Sequence, residues 1–274
     1  MLMLESPDRP QVSEMLSHFE KTMKQIKIVK NEKDVVWLLC NLFSEYRNKL
    51  TTQNYKMYDK AFSQDDNPLT MEIFARFLAY HKKYKEAAAY FKKALAKRKE
   101  PLAIFSYGTF LLNMAYQANG KESLSFLQQS FERFQEYSEI DENRKKDYFL
   151  SIQFHKIIER LIEIKEYETA KMIILWVHHE IGKKDTLIKQ KIAINKMTNE
   201  DISVLINDYE DLLFLTISPE FNIEKAKLHI SLNQKSQAKT DLNYALLVLS
   251  KYDKKDENQE KQYNEALKLL EELK

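Results

Sequence analysis

Glycine and proline are nearly missing from this chain, which has only 3 Gly and 5 Pro in 274 residues. An average protein carries about 7% glycine and about 5% proline. Because both residues interrupt helices and build tight turns, their scarcity predicts an all-α fold. Gly108, Gly120 and Gly182 also lie too far apart to form a dinucleotide-binding or Walker-type loop, which argues against nucleotide chemistry of those types.

Cysteine and long apolar runs are also scarce. The single Cys40 follows the apolar residues 35–39, so we expect a buried thiol in a reducing compartment and no disulfide within the chain. No run approaches the roughly 18 apolar residues that span a bilayer, and residues 1–10 do not read as a secretory signal. We therefore expect a cytoplasmic protein without a membrane span, and secretion by a signal-independent route stays open.

An excess of charge of either sign is missing as well. The chain has 43 Lys and Arg against 41 Asp and Glu, a formal net charge of +2. Proteins that coat nucleic acid usually carry a large basic excess, so this balance makes nucleic acid an unexpected partner. Hydrophobic residues make up 44% of the chain, with 15 Phe and 15 Tyr, which is enough for a substantial core.

Apolar residues recur three and four positions apart along most of the chain, which indicates helices. We predict helices over approximately 11–30 and 32–50, then a turn that ends at Asn67. Thr70 is the expected N-cap of the next helix, with Pro68 just ahead of it. Small and bulky residues then mark a helix pair over 69–99: Phe74, Ala75, Leu78, Tyr84, Ala87, Phe91 and Ala94.

This pair resembles the tetratricopeptide repeat, a helix–turn–helix unit of about 34 residues. Ala87, Phe91 and Ala94 match the small, bulky and small positions of the family's second helix, and Ala75 matches the small position of its first helix. Looser copies of the second-helix pattern occur elsewhere: Asn54, Tyr58 and Ala61; Ser123, Leu127 and Ser130; Ala170, Ile174 and Val177; Ala238, Leu242 and Ala245.

The spacing between these copies is close to one or two repeat lengths. Their first small positions are 54, 87, 123, 170 and 238, so the successive intervals are 33, 36, 47 and 68. Because the last interval is twice the repeat length, a further degenerate pair is expected over 183–216. The interval from Ser123 to Ala170 exceeds one repeat, and it predicts lengthened helices or a longer connection around 139–146.

The resemblance implies an all-α, right-handed superhelical α-solenoid of antiparallel helix pairs, in which neighbouring pairs stack to bury a shared apolar face. An irregular helical bundle is the alternative that the sequence leaves open. We predict N-terminal helices over 1–50 and tetratricopeptide-like repeats over 51–250. A charged loop and a C-terminal capping helix are expected over 251–274.

The most enzyme-like string in the chain is Trp-Val-His-His-Glu at 176–180. Neighbouring helical residues point about 100° apart, so His178 and His179 do not converge on one metal ion. His155 and Glu159 have the i,i+4 spacing of paired ligands but lack a third ligand. We therefore expect no metal, no cofactor and no enzymatic activity, and we interpret 178–180 as polar residues at a helix end.

Two segments carry charge of one sign. Residues 82–99 contain eight Lys and Arg and one Glu, while 200–220 contain six acids and no Lys or Arg. We interpret both as solvated helix faces. The alternatives are nucleic-acid binding by the basic segment, and steering of a partner or association between copies by the pair of opposite charges.

The family resemblance implies a concave groove formed by the first helix of each pair, which would hold a peptide or protein segment. The groove positions carried over from the family are Arg47, Glu72, Arg76, Asn113, Tyr116, His155, Glu159 and Lys227. Some tetratricopeptide domains clamp the C-terminal carboxylates of heat-shock chaperones with a Lys/Asn/Lys/Arg set. That set has no match here, so such a client is not expected.

The sequence thus favours a non-catalytic protein–protein interaction module whose partner is a protein or peptide; a homo-oligomer stays open. The alternatives are a regulatory sensor similar to bacterial peptide-pheromone receptors, without an evident DNA-binding domain, and an RNA-associated repeat protein. The first 50 residues lack a short turn between two compact helices, which disfavours a DNA-binding form.

Overall fold

A computed structural model describes residues 67–274, together with Lys21, Lys24 and Gln25. Helices, turns and short connections account for all of 67–274, and no strand occurs within that range. The all-α class is therefore confirmed for this part of the chain. Four predictions therefore lie outside the described residues: those for Cys40, for Arg47, for the repeat copy at 54–61 and for the N-terminal helices, of which only Lys21, Lys24 and Gln25 are described.

Ten of the twelve helices in 67–274 form five antiparallel pairs. The pairs are α1 (Pro68–Tyr80) with α2 (Tyr84–Lys97), α3 (Pro101–Gln117) with α4 (Gly120–Ser138), α6 (Tyr148–Glu163) with α7 (Tyr167–Glu180), α8 (Asp185–Met197) with α9 (Ile202–Leu215), and α10 (Pro219–Ser231) with α11 (Lys235–Leu249). The other two are the single turn α5 (Glu142–Lys145) and the last helix, α12 (Glu257–Glu272).

The chain divides into two compact units. The first unit ends at Arg144 and contains the α1–α2 and α3–α4 pairs, while the second unit begins at Lys145 and contains the other three pairs and α12. In the second unit, Ala266 and Leu273 pack with buried residues of α10 and α11, so α12 covers the last pair.

Small side chains let α1 and α2 approach closely. Ala75, Ala87 and Ala94 are completely buried, as predicted, and Phe74 meets the Tyr90 ring edge-on at 4.9 Å. Phe91 stacks on Tyr107 of α3 at 5.2 Å, so the same helix also contacts the next pair. The small–bulky–small pattern therefore sets both the crossing within a pair and the contact between pairs.

The α3–α4 crossing depends on a glycine whose role the sequence did not reveal. A Cβ atom at Gly108 would lie 2.8 Å from Cε1 of the buried Phe134 ring. Ser130 donates a hydrogen bond to the Gly108 carbonyl at 2.8 Å, and Ser123 donates to the Ala115 carbonyl at 2.7 Å. The two small positions predicted on α4 are thus buried and bonded to α3.

The same type of turn joins the two helices in four of the five pairs. Lys82, Lys165, Asn199 and Asn233 each adopt a positive φ between 52° and 63° just after the first helix. In each case the next residue donates its N–H to the carbonyl five positions earlier, which satisfies a helix-end acceptor in the manner of a Schellman motif. The last three of these turn residues are evenly spaced by one repeat length, which confirms the pair predicted over 183–216.

Replacing Lys165 by glycine is expected to stabilise the second unit by about 0.5–1 kcal/mol. The left-handed conformation costs a residue with a Cβ roughly 1–2 kcal/mol, and glycine removes this strain. Part of that stabilisation is lost, because glycine also gives the unfolded chain more conformational freedom. Lys165→Ala is the matched control, because it keeps the Cβ and should change stability little. Urea unfolding followed by circular dichroism measures both, and a less stable glycine variant would contradict the expectation.

Two local predictions differ from the structure. Thr70 does not cap α1: Pro68 occupies the first helical position, so the cap is Asn67, whose Oδ1 accepts from the Leu69 N–H at 3.0 Å. The charged loop was predicted over 251–258, but α12 already begins at Glu257, because Asp256 and Gln259 form a capping box at its start.

The long interval between Ser123 and Ala170, in contrast, is explained as predicted. The interval covers most of α4 and all of α6, which have 19 and 16 residues, longer than the corresponding α2 and α1 with 14 and 13. The connection through α5 adds the remaining length.

Candidate functional site

In the first unit, a groove of about 740 Å³ lies between the first helices of the two pairs. We call it the α1–α3 groove. Its lining comes from α1, the start and middle of α2, and α3: Arg76, Ala79, Tyr80, Tyr84, Phe91, Leu102, Phe105, Ser106, Thr109, Phe110, Asn113, Met114, Tyr116 and Gln117.

Helical periodicity brings these residues to one side. Arg76 and Tyr80 lie one turn apart on α1, and the lining positions of α3 recur at intervals of three and four from Leu102 to Gln117. Tyr80 and Tyr116 are 51% and 40% exposed, so part of each side chain faces solvent. Phe91 and Phe110 pack together beneath them at 5.4 Å. The groove therefore has an aromatic floor and aromatic walls.

Hydrogen-bonding groups interrupt this aromatic surface. Ser106, Asn113 and Gln117 lie on the same side of α3, and they can donate to or accept from a peptide backbone. The Thr109 hydroxyl donates to the Phe105 carbonyl at 3.0 Å, which leaves its oxygen as an acceptor. Such spaced polar groups within an apolar lining are typical of sites that fix the orientation of a bound molecule.

Arg76 is the only charged residue among those that line the groove in the described chain. Its side chain is 51% exposed, and its Nη1 lies 3.6 Å from Oε1 of Glu72, one turn earlier on α1. Glu72 itself is completely buried, so the structure places it beneath the groove and out of reach of a ligand.

The buried carboxylate of Glu72 has few compensating contacts. Ser106 and Arg76 are its polar neighbours, but neither carboxylate oxygen has a hydrogen-bond partner of good geometry among the described residues. Burial therefore raises the pKa of Glu72 above its ordinary value of 4.5, and Ser106 and Arg76 offset only part of this effect. Because Glu72 holds its proton more readily than an ordinary glutamate, it compensates less of the positive charge of Arg76.

Three further predicted site residues lie in the second unit. His155 and Glu159 occupy the same repeat positions as Glu72 and Arg76, respectively. Both lie as far along the chain from their counterparts as the turn residue Lys165 lies from Lys82. The His155 carbonyl accepts a hydrogen bond from Gln190 at 3.3 Å, while Glu159 is exposed.

The third of these residues, Lys227, is engaged in ion pairs. It donates to Glu224 at 2.8 Å and to Glu265 of α12 at 2.7 Å. The contact with Glu265 ties α12 to α10.

The acidic segment 200–220 is more than a solvated face. Lys171 bonds Glu200 at 2.5 Å, Lys183 bonds Asp211 at 2.5 Å, and Lys225 lies 3.7 Å from Glu210. Asp201 caps α9, and Asp208 is buried in a pair with Lys191 at 2.7 Å. Lysines of neighbouring helices, together with Lys183 in the connection between α7 and α8, thus compensate most of this negative charge.

The basic segment 82–99 agrees with its predicted orientation. Phe91 and Ala94 are buried, and the side chains of Lys85, Lys92 and Lys93 are exposed. These lysines therefore form a solvated face of α2, as the sequence suggested.

The histidine-rich string is the last turn of α7. Nδ1 of His179 lies 2.8 Å from Oε1 of Glu180, while burial, with help from Lys191 and Lys183, lowers the pKa of His178. Within the part of the chain that the structure describes, no three His, Cys, Asp or Glu residues are grouped as metal ligands. None of the helices in that part is long and apolar enough to cross a membrane.

Comparisons with known proteins return structural likenesses at low sequence identity. No family model and no curated protein matches the chain. A tetratricopeptide repeat protein from Parabacteroides merdae is 15% identical over 93% of each chain, with a TM-score of 0.38. The tetratricopeptide protein TTC0263 from Thermus thermophilus is 16% identical over 73% of this chain and 98% of that one, with a TM-score of 0.34. The assembly chaperone of RpL4, Acl4, is 8% identical over 96% and 98%, with a TM-score of 0.41.

At these TM-scores the likenesses carry no argument about partner or activity. The internal features of the chain decide the architecture: consecutive helix hairpins, buried small residues at the crossings, and a left-handed turn residue that recurs at the repeat length. Residues 68–249 are built of tetratricopeptide-like helix pairs. Within the first unit, the first helices of two such pairs provide Arg76, Asn113 and Tyr116 to one groove.

Proposed function

We propose that this protein is a protein-interaction module and that the α1–α3 groove binds an extended segment of a protein partner. The observation that carries the proposal is the combination of exposed tyrosines, an apolar floor and spaced hydrogen-bonding groups in one open cavity of about 740 Å³. Aromatic side chains supply most of the binding energy in such interfaces, and polar groups set the orientation of the bound chain.

The dimensions of the groove support a short peptide. Its lining runs along α3 from Leu102 to Gln117, which corresponds to about 22 Å at about 1.5 Å per helical residue. An extended chain covers this length with about seven residues.

Selection of peptides from a random heptapeptide library on the full-length protein tests the proposal. Peptides that bind the wild-type protein should lose at least about tenfold in affinity for Tyr116→Ala, because the variant removes an aromatic wall of the groove. Fluorescence anisotropy of labelled peptides measures the dissociation constants.

Tyr244→Ala is the matched control for this experiment. Tyr244 is 45% exposed, close to the 40% of Tyr116, but it lies on α11 of the second unit. Its removal should leave peptide affinity unchanged, and thermal melting should show that both variants are folded. Equal losses for both variants, or no loss for Tyr116→Ala, would contradict binding in the α1–α3 groove.

The sensor and RNA-associated alternatives stay predictions from the sequence. The exposed lysines of α2 keep the RNA alternative open to a direct test by salt-dependent binding.

A further inference from the structure

The charge within the α1–α3 groove limits which segment can occupy it. Arg76 is the single charged side chain of the described lining, and every other lining residue is apolar, aromatic or neutral and polar. A cation in a largely apolar site is left partly desolvated when a ligand covers it, which is costly unless an anion compensates it. Glu72 lies 3.6 Å from Arg76, too far for a hydrogen bond, and it is completely buried under the groove. The 51% exposed Arg76 side chain therefore keeps donors for an anion that the ligand brings.

The position of Arg76 along the groove limits where that anion lies in the partner. The α1–α2 hairpin and the short connection to α3 each reverse the chain, so α1 and α3 run in the same direction. Because Glu72 neighbours Ser106, Arg76 lies level with Phe110, one turn further along both helices. Phe110 is midway between Leu102 and Gln117, which bound the lining of α3.

A segment that fills the groove therefore meets Arg76 near its middle. Building on the proposed function, we propose that the α1–α3 groove selects a partner segment with one aspartate or glutamate at an internal position, flanked by apolar and aromatic side chains. The carboxylate accepts a charge-assisted hydrogen bond from the Arg76 guanidinium. A free C-terminal carboxylate at Arg76 would leave half of the aromatic groove empty, which is why an internal acidic side chain is the better fit.

Two random heptapeptide libraries presented to the full-length protein test this proposal. In the first library the peptides lie between fixed glycine–serine flanks, so they have no free C-terminus, and in the second they end in a free carboxylate. We expect the first library to yield peptides that carry one acidic residue among apolar ones and whose binding is weakened by Tyr116→Ala.

The contribution of Arg76 is then measured with one selected peptide, capped at both ends. Replacing its acidic residue by the corresponding amide should weaken binding to the wild-type protein about tenfold, the loss expected for one charge-assisted hydrogen bond. The same replacement should change binding to Arg76→Gln less than about twofold. If Arg76→Gln does not fold, the peptide change on the wild-type protein and the Arg76→Lys variant decide the question.

The outcomes separate this inference from the proposed function. Tyr116-dependent peptides without an acidic residue, or peptides that bind only through a free C-terminus, would overturn the inference and leave the proposed function standing. A failure to recover any peptide whose binding depends on Tyr116 would overturn both.

Discussion

Truncating Phe134 to alanine is expected to destabilise the first unit by about 3–5 kcal/mol, the usual cost of removing a buried phenylalanine ring. Phe134 is completely buried on α4, and its ring also contacts Phe105 at a centroid distance of 5.3 Å. Its loss leaves a cavity beside Gly108, where the ring packs against the backbone of α3. Urea unfolding followed by circular dichroism measures the change in the free energy of unfolding.

Substitution of Gly108 tests the packing contact between Gly108 and Phe134 directly. In the wild-type protein, Gly108→Ala should destabilise by about 1–2 kcal/mol, because overpacking against Phe134 outweighs the better helix propensity of alanine. In the Phe134→Ala background the Cβ has room, so the same substitution should stabilise by about 0.5–1 kcal/mol. The sign of the effect should therefore reverse.

A cycle of four proteins measures this reversal: the wild type, the two single variants and the double variant. Gly120→Ala is not a suitable control, since Gly120 has a φ of 51° that a Cβ would strain. Gln128→Ala, at a helical position of α4, serves as the control for the α4 surface instead. Additive effects of the two substitutions would show that Gly108 and Phe134 do not share a packing contact.

The sequence was sufficient to predict elements that depend on local periodicity. Ala87, Phe91 and Ala94 follow the repeat pattern, so the first pair and its buried face follow from the sequence alone. Gly108 could not be interpreted in this way, because its contact partner Phe134 lies near the far end of the following helix, and both helices are lengthened. The scarcity of glycine was nevertheless a usable signal, since a glycine within a helical pattern often marks a close approach.

The candidate site was predicted in part for the same reason. Repeat positions place Arg76 and Tyr116 on one side of the first helices, and the structure brings both to the same groove. The burial of Glu72 and the pairing of Lys227 with Glu265 depend on contacts between helices that periodicity does not describe. A sequence pattern can thus assign a residue to a helix face, but the neighbouring helix decides whether that residue meets a ligand or another side chain.

In the acidic segment, the contacts of Asp208 likewise depend on the neighbouring helix, and its removal is expected to have the second large effect on stability. Asp208 is only 3% exposed, and its two carboxylate oxygens accept hydrogen bonds of 2.7 Å from Lys191 of α8 and from the buried Asn195 amide. Asp208→Ala removes the partner of both groups at once. We expect a loss of about 3–5 kcal/mol, because a largely buried ammonium group and a buried amide would then lack their acceptor.

Asp211→Ala is the matched control, since Asp211 also bonds a lysine, Lys183, but the two side chains are 43% and 48% exposed. An exposed ion pair contributes at most about 1 kcal/mol, so this variant should be nearly as stable as the wild type. Fluorescence of Trp176 on α7 during urea unfolding follows the second unit, with Trp37→Phe to remove the other tryptophan. Similar small losses for both variants would mean that Lys191 and Asn195 recover solvent or other acceptors when Asp208 is removed, and that the buried pair does not hold α8 and α9 together.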